Sequence, residues 1–209
     1  LRRARGMAEI IFPIWLAAMA GDMALPFFLK PFYRGYSHKR HVLSLLGCRQ
    51  SPVKWIYNLW CILSGLAFCA AGYCIFAEYQ SGISVAIWVF LALYGFGCET
   101  LSGIFPVEES PSAVTLSCKI HGVSSAVGCS VFVFVPLLLG IEQFRTGRMV
   151  YGAACILCFT CAMLFMTFFV MSEKERFRNT AFDLTGLWQR LLLLACYLPL
   201  ALLGFILYA

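Results

Sequence analysis

Six long runs of apolar residues determine what this chain can fold into. They cover residues 10–29, 55–77, 83–105, 120–141, 149–171 and 187–208. Each run has the ~20 residues that an α-helix needs to cross the hydrocarbon core of a bilayer. Only 12% of the 209 residues are charged, whereas a soluble domain carries about a quarter. The sequence therefore predicts an all-α, polytopic integral membrane protein, with six transmembrane helices in a single domain over residues 1–209.

The distribution of basic residues predicts which face of the protein lies in the cytoplasm. Eleven of the sixteen Lys and Arg residues belong to one face, in loops 30–54, 106–119 and 172–186 or at the adjoining helix ends. The positive-inside rule places these loops in the cytoplasm of a multi-pass protein of the cell membrane. The basic residues flank membrane helices and form no soluble module, so we expect membrane lipids as partners and no nucleic acid.

The chain contains eleven cysteines and three histidines, two residue types that bind metals. Most of the cysteines lie inside the apolar runs, where cysteine behaves as a small, polarizable hydrophobic residue. Cys155, Cys158 and Cys161 have CxxCxxC spacing, but this segment is mid-membrane with no charge or histidine nearby, which favours a packing stripe. The histidines lack the HxxxH or HExxH spacing typical of zinc sites. We therefore expect no metal, and the sequence assigns no cofactor.

Ionisable residues inside the apolar runs lie toward the same membrane face. Asp22 and Glu99 come about two turns before the ends of the first and third runs, whereas His121 and Arg190 begin the fourth and sixth. A charge in hydrocarbon is costly and usually faces a bundle interior or a wet cavity. The pattern predicts a polar chamber open to one leaflet, lined by these residues and Glu108. The alternative is an internal ion pair between the carboxylates and Arg190.

The first loop, residues 30–54, combines basic residues, aromatic residues and a short amphipathic stretch. We predict an interfacial helix or re-entrant turn around Ser44 that ends at Gly47 and covers the chamber as a partial lid. Arg40 and Arg49 suit the phosphate of a lipid headgroup. Ordinary positive-inside flanking of the helices explains the same residues equally well.

Short motifs in the loops and at the helix ends resemble those of a known family. They are Tyr36-Ser37, Ser44-x-x-Gly47, Phe105-Pro106 before an acidic pair, His121, and Gly186-Leu187-Trp188-Gln189-Arg190. In order and spacing, nearly the whole chain resembles the domain-of-unknown-function 998 family of six-helix membrane proteins from bacteria and archaea. Leu45, His41 and Glu108 stand where that family commonly has an acidic residue, Asn and Asp. The resemblance implies the architecture and a functional face, and it supplies no mechanism.

The first functional hypothesis is a protein that binds a lipid or small amphiphile in the chamber. Arg40, Arg49 or Arg190 would hold an anionic head. Asp22 and Glu99 would adjust the charge or protonation of the site. Paired charges without a recognisable catalytic signature favour this interpretation.

The second hypothesis is a membrane-embedded hydrolase or transferase that acts on a lipid headgroup or acyl bond. His121 would be the general base, and Glu108 or Glu99 would orient its imidazole ring. The nucleophile would be Ser44 or an activated water. A third hypothesis is a helical subunit of a larger membrane complex, whose polar face pairs with a partner.

Overall fold

The structure, a computed structural model, describes residues 2–109 and 115–208. Its described residues form eight α-helices and no strands. The helices are α1 (Arg2–Leu29), α2 (Lys54–Tyr79), α3 (Gly82–Ala92), α4 (Leu101–Ile104), α5 (Leu116–Phe132), α6 (Val135–Arg145), α7 (Met149–Ser172) and α8 (Thr185–Tyr208). A π-helical segment, Leu93–Thr100, joins α3 to α4. The all-α prediction is confirmed.

These helices make six spans that are long and apolar enough to cross a membrane. They cover Glu9–Phe32, Lys54–Tyr79, Gly82–Ile104, Leu116–Arg145, Met149–Ser172 and Thr185–Leu207. The third span consists of α3, the π-helical segment and α4. The fourth consists of α5 and α6, which meet at a break beside Pro136, a residue without an N–H group for helical bonding. The predicted number and positions of the spans are confirmed.

The second and third spans approach each other closely where the π-helical segment begins. Gly65 of α2 faces Gly95, and a Cβ atom added to Gly65 would lie 2.2 Å from the Gly95 carbonyl oxygen. Small residues allow this approach between membrane helices, where packing replaces the hydrophobic effect as the attraction. The contact positions the wide turn of the π-helical segment against α2, at the level of Glu99.

Aromatic side chains fill the centre of the bundle. The rings of Tyr94 and Phe132 stack with their centroids 3.9 Å apart, and Phe68 packs edge-on against Tyr94. The Tyr197 ring of α8 stacks on the Phe68 ring, with 5.4 Å between their centroids. Four spans therefore meet at one aromatic cluster, and its two tyrosines carry hydroxyl groups into an otherwise apolar region.

The first, third and fifth loops lie together on one face. The Arg49 amide donates to the Val107 carbonyl at 2.9 Å, and the Leu187 amide donates to the Lys39 carbonyl at 3.0 Å. Within the first loop, Leu43–Gly47 forms a 3₁₀-helix. Its Leu46 side chain is completely buried. The short helical turn predicted to end at Gly47 is therefore present, and it packs onto the ends of the spans.

Candidate functional site

A polar cavity of about 370 Å³ lies beneath the first loop. Its wall combines polar side chains with apolar ones, and three of the apolar ones belong to α7. The polar lining residues are Ser44, Asn58, Glu99, Ser102, His121, Ser125, Ser130, Glu173 and Gln189. The apolar ones on α7 are Met166, Phe169 and Val170. The cavity therefore brings together three residues singled out in the sequence, namely Ser44, Glu99 and His121.

The 3₁₀-helix of the first loop forms the roof of this cavity. Val42, Leu43 and Ser44 line it. The Leu43 amide donates to Oε1 of Gln189 on α8 at 2.7 Å, which fixes the roof to the sixth span. The first loop therefore covers the cavity with a short, anchored helix.

Asp22 lies behind the cavity, buried between α1, α2 and α8 with 7% of its surface exposed. Its Oδ1 accepts hydrogen bonds from Trp60 Nε1 at 2.6 Å and from Ser64 Oγ at 3.1 Å. Its Oδ2 accepts from the Tyr197 hydroxyl at 2.7 Å and also from Ser64. A carboxylate with three donors needs no basic partner, because these donors replace the hydration that it loses on burial.

A chain of hydrogen bonds connects Asp22 to Glu99. The Tyr197 hydroxyl lies 2.6 Å from the Tyr94 hydroxyl, and the Tyr94 hydroxyl lies 2.9 Å from Glu99 Oε1. The π-helical segment makes the last contact possible, because its wider turn brings residues five apart onto one face. The two carboxyl groups predicted at one depth are therefore coupled through two phenols, and Glu99 carries this chain to the cavity wall.

His121 is held by the backbone. Its Nδ1 lies 3.1 Å from the Phe105 carbonyl oxygen, which can only accept, so Nδ1 carries a proton. In the neutral ring, the basic nitrogen is then Nε2. A carbonyl oxygen, and not a carboxylate, orients this imidazole.

Glu108 lies outside the cavity, where it joins the third loop to the first. It forms an ion pair with Nε of Arg49 at 3.2 Å and accepts from Gln50 Nε2 at 2.7 Å. Arg40 is exposed on the same face. Glu108 thus connects loops and does not orient His121, so the Ser44, Glu108 and His121 combination considered from the sequence is not assembled.

Arg190 holds the first loop in place. Its Nη1 donates to the carbonyl oxygens of His38 and Gly186, each at 2.7 Å, and its Nη2 donates to the Tyr36 hydroxyl at 2.7 Å. None of the ion pairs found among the described residues includes Arg190. The predicted ion pair with Asp22 or Glu99 is absent, because loop carbonyls occupy the guanidinium and other donors satisfy the carboxylates.

The loop groups around Arg190 have altered acidities. Burial, together with the positive charges of Arg190 and Lys30, lowers the pKa of His38. Burial raises the pKa of Tyr36, although the neighbouring Arg190 opposes this effect. The His38 ring also lies against the Phe27 ring, with 4.3 Å between their centroids and an angle of 33° between the rings. A neutral His38 is therefore the form that fits beside the guanidinium.

Sequence reasoning missed the roles of Tyr94 and Tyr197 in the hydrogen-bond chain, and it identified Gln189 only as part of a family motif. Tyrosine is common in membrane proteins as an interfacial residue, so Tyr94 and Tyr197 gave no specific signal. Their depth was the available indication, since both lie well inside apolar runs. A buried phenol needs a hydrogen-bond partner, and Asp22 and Glu99 were the candidates.

Within residues 2–109 and 115–208, no three His, Cys, Asp or Glu side chains form a group that could hold a metal ion. His41 Nδ1 accepts from the Ser37 amide at 3.1 Å. His38 lies against Arg190. Two of the three histidines are therefore engaged in the first loop, away from His121 and Glu99.

A family model described as a protein of unknown function, DUF998, matches residues 4–206. The chain belongs to the DUF998 family. This agrees with the resemblance seen in the motifs of the loops and helix ends. The matched residues include parts of all six spans. No curated protein and no solved structure matches the chain. The family description names no activity, so the function has to be argued from the site.

Proposed function

We propose that this DUF998 protein binds a lipid or small amphiphile in the polar cavity. The observation that carries the proposal is the mixed lining of the cavity, which includes both polar and apolar side chains. Glu99, His121 and Ser44 are among its polar lining residues, and Met166 and Phe169 of α7 are among its apolar ones. An amphiphile matches such a wall, because its head needs hydrogen-bond partners and its tail needs none.

The rim of the cavity supports entry from the bilayer. Ala126 and Ser130 of α5 and Val170 of α7 line the cavity, and all three are exposed. A tail moving from lipid into the cavity gains little, since both surroundings are apolar. Selectivity would therefore come from the head, at Glu99 and the neighbouring polar groups.

The basic loop residues complete this proposal. Arg40 and Arg49 would contact phosphates of surrounding lipids at the headgroup level. With the basic loops in the cytoplasm, the cavity would open near the inner leaflet of the cell membrane. Labelling of single introduced cysteines at exposed Arg34 and at Gly147 by an impermeant reagent tests this orientation.

Native mass spectrometry of the purified protein tests the binding proposal. Ala126→Trp places a large side chain in the cavity. Val123→Trp is the matched control, because Val123 is on the same helix, is 67% exposed and lines a separate apolar groove. We expect wild type and Val123→Trp to retain a co-purifying amphiphile and Ala126→Trp to lose it. An equal ligand content in all three proteins, or none in any, would contradict the proposal.

A second candidate function is hydrolysis of an amphiphile in the same cavity. It is favoured by the presence of Ser44 and His121 in the lining of one cavity and by the Nδ1 contact that leaves Nε2 as the basic nitrogen. His121 would activate a water or Ser44. This function requires that His121→Ala abolishes product release from a fluorogenic lipid ester while the thermal unfolding temperature stays near that of wild type. Product release that persists in this variant would exclude the role.

A further inference from the structure

The hydrogen-bond chain between Asp22 and Glu99 needs one proton more than its phenols supply. It contains three oxygen–oxygen contacts, at 2.7, 2.6 and 2.9 Å. Each contact needs one proton between its oxygens. The hydroxyl groups of Tyr197 and Tyr94 contribute two, and two ionised carboxylates contribute none. One of the carboxyl groups must therefore be protonated for all three contacts to be hydrogen bonds.

The geometry assigns that proton to Glu99. Asp22 receives the indole N–H of Trp60, a group that only donates, in addition to the hydroxyl groups of Ser64 and Tyr197. This set of donors matches a carboxylate. The chain then runs in one direction: the Glu99 carboxyl donates to Tyr94, Tyr94 donates to Tyr197, and Tyr197 donates to Asp22.

The charge of the cavity favours a cation over an anion as the ligand head. Glu99 and Glu173 are acidic, and among the described residues that line the cavity none is Lys or Arg. Arg190 is engaged by the carbonyl oxygens of His38 and Gly186, and Arg49 pairs with Glu108. An anionic head would find no Lys or Arg side chain there, whereas a cationic head would find a carboxyl group that can ionise.

We propose that the polar cavity binds an amphiphile with a cationic head, such as an amine or a quaternary ammonium, in exchange for the proton on Glu99. This inference rests on the proposed amphiphile binding and adds the class of ligand. The O–H bond of Glu99 breaks and its proton passes to water, while the ligand cation pairs with the new carboxylate. The net charge of the site is the same before and after, so binding adds no uncompensated charge to it.

The exchange also changes the hydrogen-bond chain. Once Glu99 is ionised, Tyr94 donates to it, and the contact between the Tyr94 and Tyr197 oxygens loses its proton. These two hydroxyl groups then separate or admit a water. The other titratable side chains around Glu99 are Tyr57, Cys61, Cys98, His121, Cys129 and Glu173. None of these residues is a Lys or Arg that could replace the ligand as the counter-ion.

Calorimetry with two matched probes tests the inference. Decyltrimethylammonium and decyl sulfate have the same tail and heads of opposite charge. Each is titrated into the protein in zwitterionic nanodiscs, with empty nanodiscs as blank and two buffers of different ionisation enthalpy. We expect the cation to bind more tightly and to release one proton per ligand. Its affinity should rise up to tenfold per pH unit, because one proton is exchanged for one ligand.

Two variants and one spectroscopic signal locate the proton. Glu99→Gln should abolish proton release and the pH dependence, whereas Glu175→Gln, on the exposed fifth loop, should leave both unchanged. In wild type, the infrared carbonyl band of a protonated carboxylic acid should disappear when the cation binds. That measurement needs no variant, so it stays decisive if Glu99→Gln fails to fold.

The possible failures are distinguishable. Equal binding of both probes would overturn the cation preference and leave amphiphile binding intact. Binding of the cation without proton release would overturn the exchange. If neither probe binds above the blank, both this inference and the proposed function are wrong.

Discussion

The hydroxyl oxygens of Tyr94 and Tyr197 lie 2.6 Å apart at the centre of the bundle. Tyr94 belongs to the π-helical segment of the third span, and Tyr197 belongs to α8. Through their outer partners, Glu99 and Asp22, they connect the cavity wall with the first span. Hydrogen bonds of this kind have few competitors in an apolar interior, so the pair both stabilises the bundle and couples its two buried carboxyl groups.

A double-mutant cycle on this tyrosine pair should reveal the coupling. Tyr197→Phe removes a donor from buried Asp22, and we expect it to reduce stability by about 1–3 kcal/mol. Tyr94→Phe should cost less, because it frees only Glu99 and Tyr197. The double variant should be more stable than the sum of the two losses predicts, by about 0.5–3 kcal/mol. Unfolding in detergent, followed by tryptophan fluorescence, measures all four proteins; strictly additive losses would argue against a connected chain.

The close contact between α2 and the π-helical segment predicts a strong effect of Gly65→Ala. The added Cβ would lie 2.2 Å from the Gly95 carbonyl oxygen and 2.4 Å from Thr100 Oγ1. The helices must move apart, at a cost of about 1–3 kcal/mol. Gly82→Ala is the control, since a Cβ there meets nothing within 4 Å. The unfolding temperature should fall for Gly65→Ala only, and a similar value for both variants would mean that this contact tolerates expansion.

The folded protein should become less stable as the pH falls, because of His38 in the first loop. Burial and nearby positive charges lower the pKa of His38 below its ordinary value of 6.5. Below about 6.5 the unfolded chain therefore binds more protons than the folded protein, and stability decreases as the pH drops through this range. Above it, His38 is neutral in both states and has no effect.

Comparison of wild type with His38→Gln isolates this contribution. The unfolding temperature is measured between pH 5 and pH 8 for both proteins, so that other titrating groups cancel in the difference. We expect the two curves to be parallel above about pH 6.5 and wild type to lose more stability below it. Curves that stay parallel throughout would show that His38 does not titrate differently on folding.

The sequence carried enough information to predict the six spans. Apolar length determines where helices cross the bilayer. This quantity is local, so one sequence suffices. The helical turn that ends at Gly47 was also within reach of the sequence, because it too is a local element.

The partners of the buried charges could not be predicted in the same way. Charge alone suggests an ion pair between Arg190 and a carboxylate. Arg190 instead donates to the carbonyl oxygens of His38 and Gly186, and every residue possesses a carbonyl group. Tyr94 contacts Glu99 because the third span is locally π-helical, and its residue types also suit an ordinary α-helix. Such contacts depend on how distant segments pack, and no periodicity in the chain encodes them.

Arg190→Lys should release the first loop. Arg190 donates from its planar fork to two carbonyl oxygens and to the Tyr36 hydroxyl, and Lys keeps the charge but cannot reproduce that geometry. Each hydrogen bond from a charged group contributes about 1.5–3 kcal/mol. Loss of even one of the two bonds to the first loop, to the His38 carbonyl or the Tyr36 hydroxyl, should therefore raise the rate of tryptic cleavage after Lys39 and Arg40 by about tenfold or more.

Arg34→Lys provides the control, because Arg34 is exposed in the same loop and Lys preserves the cleavage site. Its digestion rate should equal that of wild type. The distinction also separates the roles of the loop and the cavity: Arg190→Lys opens the roof over Ser44, while the chain from Glu99 to Asp22 stays intact. If Arg190→Lys were cleaved no faster than Arg34→Lys, the contacts of Leu43 with Gln189 and of Arg49 with Val107 would be sufficient to hold the loop closed.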